Sequence, residues 1–134
     1  MSQRTAQFIL WGINLLALAG AVWCVQDFTR VRYAIQAGAD SIPFDSGRYY
    51  VLLTTVFWVL TLIQYLGLKR GVAAISGWAA PATIVWFAGT LALAYFVPSF
   101  MSDELTSAGY HAVDDPNEVS RISRGASLIF VKNP

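Results

Sequence analysis

The chain is short of charge: Asp, Glu, Lys and Arg make up 13% of its 134 residues, against roughly 25% in an ordinary soluble domain. That deficit excludes a disordered tail and the surface of a typical soluble enzyme. Cys24 is the single cysteine, which excludes an intramolecular disulfide framework and a cysteine zinc cluster. The net charge of +1 offers no basic field for nucleic acid and no acidic field for cationic substrates. Neither a G-x-G-x-x-G nor a G-x-x-x-x-G-K pattern is present for a nucleotide, and no G-x-S-x-G turn presents a serine nucleophile. These absences lead to the expectation of a non-catalytic protein without cofactor or metal.

What the chain has instead is apolar surface, 56% of its residues being hydrophobic, with a mean hydropathy of +0.51. The ionisable residues are placed unevenly and leave uncharged runs at 5–26, 49–68 and 71–102. As helices these runs would extend about 33, 30 and 48 Å, against a hydrocarbon core of about 30 Å. The third is too long for one simple span. Pro81 suits the first turn of a helix and Pro98 suits its end, so the third span is expected at 79–97. Helices are the default because lipid cannot satisfy a free N–H or C=O. Ala17-Leu18-Ala19 resembles a signal-peptide cleavage site, but the apolar run continues through Gly20-Ala21-Val22-Trp23, which favours an uncleaved first span.

The expected fold is an all-α integral membrane protein: three transmembrane helices at about 5–26, 49–68 and 79–97 within residues 1–102, and a small extramembrane tail over 103–134. The segment 71–80 reads either as an interfacial stretch or as a tilted extension of the third span. In the long first loop, Phe28, Val31 and Ile35 recur at helical spacing, Asp27 and Arg30 are placed to pair, and Gly38 can supply a left-handed stop. A turn over 41–47 follows, with Asp45 or Ser46 as N-cap of the second span. In the tail, Asp114 to Gly125 reads as a short helix with Pro116 in its first turn, and 126–131 as an apolar run too short to span. The tail is too small to be stable alone, so it must dock on the first loop, the membrane or a partner.

Candidate interaction residues are few. Asn14 in the first span and Thr54, Thr61 and Gln64 in the second are polar groups in lipid, giving the second span a polar stripe; the plainer reading is hydrogen bonding between helices. Ala17-xxx-Ala21, Gly20-xxx-Cys24 and Ala88-xxx-Ala92 have the spacing that lets helix backbones approach, either between the first and third spans or toward another chain. Arg121 and Arg124 lie at helical spacing in the tail and could meet acidic headgroups or a partner's carboxylates. His111 with Asp114 and Asp115 lacks enough spaced ligands for a firm zinc site.

The preferred functional expectation is an interaction protein, either an accessory subunit of a membrane complex or an immunity-type protein that neutralises a membrane-active toxin. Its partners would be the bilayer and another membrane or extramembrane protein, or a second copy of itself, with no nucleic acid. The alternative is an oligomeric transporter or channel that uses the Thr54, Thr61 and Gln64 stripe. Lys69-Arg70 abuts the second span, whereas the tail's cations lie far from the third. That weighting places the N-terminus in the cytoplasm of a cell (inner) membrane, against Arg30, Arg32 and Arg48, which pull the other way.

Overall fold

The computed structural model describes residues 2–114 and 127–134. Three long apolar helical segments, Gln3–Gln36, Ser46–Arg70 and Ala79–Ser107, are each long enough to cross a bilayer. The protein is thus a small all-α polytopic membrane protein in its framework, to which a three-stranded sheet is added. Helix α1 is Gln3–Gln36 and ends at Gly38, whose φ of +66° is the expected left-handed stop. Strand β1, Ser41–Asp45, follows. A 3-10 helix, Ser46–Thr55, then runs into α2, Val56–Arg70. The Asp45 carboxylate accepts the Gly47 N–H at 2.9 Å, the expected cap. A 3-10 turn, Val72–Ala74, leads to α3, Ala79–Ser107, so 71–80 is mostly connector rather than span. Strands β2, Tyr110–Asp114, and β3, Ser127–Lys132, complete the order.

One expectation about the helices needs correction. Pro81 does lie in the first turn of α3, but Pro98 does not end it: the helix continues to Ser107. Proline removes one N–H, and that loss is tolerated where packing holds the following turns. Met101 and Leu105, both fully buried, hold them here. The second span begins within a 3-10 helix, whose last turn is tightened by the Thr54 and Thr55 hydroxyls donating to the Val51 and Leu52 carbonyls at 2.6 Å.

The sheet was not foreseen: 41–47 reads as a turn and 126–131 as a stray apolar run. Its order is β1-β3-β2, antiparallel throughout, with Ile42 opposite Phe130 and Ala112 opposite Phe130 on the other side. The tail therefore docks on the first loop by strand pairing. The helix expected over 114–125 lies, beyond Asp114 at the end of β2, outside the described residues, as do Arg121 and Arg124.

The chain folds as two compact units, Met1–Val22 with Val51–Ala92, and Trp23–Tyr50 with Leu93–Pro134. The first unit is helical. It packs tightly at Gly20, where an added Cβ would lie 2.7 Å from Val51 Cγ2. At Gly20 the small residue thus faces the second segment, whereas Ala88 and Ala92 are exposed. At Gly67 the nearest atom to an added Cβ is the mobile Cδ1 of Ile75, at 2.8 Å. Gly20→Ala is expected to destabilise this unit, the stiff valine costing about 1–3 kcal/mol against a helix-propensity gain of about 1 kcal/mol. Gly67→Ala should keep the gain, because Ile75 can swing aside. Thermal unfolding of both variants in one detergent checks the opposite signs.

The second unit carries the sheet. Ile42, Phe44, Tyr110 and Phe130 are buried with Val31, Met101 and Leu105. Phe44 meets Phe130 edge-on at 5.9 Å. The Tyr110 hydroxyl donates to the Ala39 carbonyl at 2.5 Å, which ties the start of β2 to the turn after α1.

Candidate functional site

In the first unit the expected polar residues assemble in part. Asn14 Nδ2 donates to Thr61 Oγ1 at 2.8 Å and to the Leu10 carbonyl at 2.8 Å, while Trp58 Nε1 donates to the Asn14 carbonyl at 3.2 Å. Thr61 in turn donates to the Phe57 carbonyl, and Thr54 to that of Val51, so both hydroxyls are committed to their own helical turns. Gln64 alone of the stripe is exposed with no hydrogen bond among the described residues. It lies on a groove of about 660 Å³, between Gln7 to Asn14 on α1 and Trp58 to Leu68 on α2, whose walls are mainly apolar.

The second unit contains a buried ionic cluster that was only half anticipated. Asp27 is 3% exposed. Its Oδ1 accepts from Arg30 Nη2 at 2.7 Å, the expected pair, and also from Arg48 Nη1. The Tyr49 hydroxyl lies 3.2 Å from Oδ2 and 3.0 Å from Met101 Sδ. Arg48 stacks its guanidinium 4.4 Å from the Trp23 ring centre, and the Cys24 thiol donates to the Arg48 carbonyl at 3.8 Å. Two cations against one carboxylate hold the start of the second segment to α1. Arg30 also donates to the Pro43 carbonyl at 3.0 Å, extending the cluster to β1. A sequence signal was present: Asp27 continues the stripe of Ala17, Gly20, Cys24 and Val31, all buried at three- and four-residue spacing on α1. An acid on that face is a buried acid.

His111 Nδ1 is 2.7 Å from Asn133 Oδ1 on the exposed surface of the sheet. Among the described residues no three His, Cys, Asp or Glu side chains converge as metal ligands. A recess of about 430 Å³ lies beside Phe44, Tyr50, Tyr95 and Asp103. The two edges of the sheet differ. On β1, proline occupies the middle position and Arg30 takes the Pro43 carbonyl, so that edge is blunted. On β2, residues 111–113 are exposed, and no backbone partner lies on the outer side among the described residues.

Comparison with protein families, with curated proteins and with solved structures finds no match for this chain.

Proposed function

We propose that this membrane protein is non-catalytic and works by binding another protein, as an accessory subunit of a membrane complex or an immunity-type protein. The observation that carries this reading is the contrast between the two sheet edges, one closed by Pro43 and Arg30 and the other, along β2, without a backbone partner among the described residues. An open edge offers unpaired backbone donors and acceptors, and a partner's extended segment pairs with it by adding a strand. The transport reading is the weaker one, because Thr54 and Thr61 already spend their protons on their own helices. Three crossings put the first loop and the tail together on the side opposite the N-terminus, and we place the N-terminus in the cytoplasm on the weight of Lys69 and Arg70 beside α2.

The experiment is affinity capture of the tagged protein in mild detergent beside a Val113→Lys variant. Val113 is on β2 and exposed, so lysine there leaves the fold intact while opposing strand addition. A stoichiometric partner held by the native chain and lost from the variant, with unchanged circular dichroism, is the expected result. Recovery of a homo-oligomer alone from both would overturn it.

A further inference from the structure

We propose that the groove between α1 and α2 is a binding site for one anionic glycerophospholipid, its acyl chain along the groove and its phosphate at the end bearing Arg4, Lys69 and Arg70. Four observations converge. The groove wall from Trp58 to Leu68 rises about 15 Å, half of a hydrocarbon core of about 30 Å and so the depth of one leaflet. A second recess, lined by Arg4, Gln7, Phe8 and Trp11, shares Gln7 and Trp11 with the groove and so carries it to Arg4.

The charge is one-sided. This unit contains no Asp, Glu or His, and its cations are Arg4, Lys69 and Arg70. Asn14 pairs with Thr61 across the two antiparallel helices. Counting back to Arg4 and forward to Lys69 and Arg70 gives rises of about 15, 12 and 14 Å, which puts the three cations at one level. None has an ion pair among the described residues. Lys69 leans on Tyr65, its Nζ 3.4 Å from the hydroxyl and 5.6 Å from the ring centre, which holds the ammonium at the groove mouth.

The amides supply the fourth observation. Gln7 lies less than a turn deeper than the cations and Gln64 between one and two turns deeper, and neither side chain has a hydrogen bond among the described residues. A phospholipid whose phosphate meets the cations carries its ester carbonyls to that depth, where amide N–H groups can donate to them. A protein helix filling the groove would leave three like charges unopposed at its end, so charge complementarity selects the anionic lipid.

The test uses the full chain in nanodiscs doped with acyl-brominated phosphatidylglycerol or acyl-brominated phosphatidylcholine, reading quenching of tryptophan fluorescence. Trp11 and Trp58 line the groove, and Trp11→Phe and Trp58→Phe variants identify the share of each in the signal. Stronger quenching by the anionic lipid is expected, with the preference falling about fivefold for each of Arg4→Gln, Lys69→Gln and Arg70→Gln. Glycerol phosphate, which lacks the chain, should not displace the lipid. Equal quenching by both lipids, a preference that survives the triple substitution in a variant of native circular dichroism, or displacement by glycerol phosphate would each overturn the proposal. So would a dimer whose groove tryptophans resist both lipids.

Discussion

Asp27→Ala is expected to destabilise the unit formed by Trp23–Tyr50 and Leu93–Pro134 by about 3–5 kcal/mol, the usual cost of removing one partner from a buried ion pair. Arg30 is half-exposed and can turn to water, but Arg48 is largely enclosed, and its Nε is already buried without a partner. Loss of the carboxylate leaves the Arg48 guanidinium facing the Trp23 ring without its counter-charge. Asp27→Asn keeps an acceptor but not the charge and should fall between alanine and the native chain. The double variant Asp27→Leu, Arg48→Met removes both charges and should recover most of the loss, since well-packed apolar replacements of a buried pair are often neutral. Denaturant unfolding in detergent, followed through the tryptophan signal, measures all three. A single alanine variant as stable as the native chain would show that the cluster does not hold this unit together.

Phe130→Ala is the second large effect, expected at about 3–5 kcal/mol for truncating a buried aromatic. Phe130 is 2% exposed and lies on the central strand, opposite Ile42 on one neighbour and Ala112 on the other. Its edge-on contact with Phe44 is lost as well. Because β1 and β2 have β3 as their common neighbour, the loss should reach both. Hydrogen exchange by mass spectrometry should show faster exchange in Ser41–Asp45 and Tyr110–Asp114, with Val56–Arg70 unchanged. Because β2 pairs only with β3 among the described residues, the strand-addition proposal further requires that this variant lose any partner the native chain captures.

The spans were legible because a bilayer imposes one simple rule, a long run without charge, and residues 5–26, 49–68 and 71–102 obey it. Local signals were equally plain: Gly38 as a left-handed stop, Asp45 as a cap, Asp27 paired to Arg30 one turn on. What escaped depends on residues far apart in the chain. Ile42 and Phe44 flank a proline, too short an alternation to announce a strand, and their partners come only after α3. Arg48 and Tyr49 approach Asp27 from the next helical segment, so no spacing along α1 reveals them. Pro98 misled for a similar reason, since the packing of Met101 and Leu105 outweighs one lost backbone bond. For the site, Asn14 and Thr61 meet as a hydrogen-bonded pair, Gln64 stands apart on the groove rim, and Thr54 turns inward to its own helix.

The strand order β1-β3-β2 also sets a timetable for biosynthesis. The central strand is the last of the three to leave the ribosome, and until Ser127–Lys132 emerges neither β1 nor β2 has the neighbour it pairs with. All three helical segments can be inserted by then, so the nascent chain passes through a stage in which it is threaded through the bilayer but lacks its sheet. A released chain truncated before Ser127 would keep all three helical segments but lack the strand on which both β1 and β2 pair.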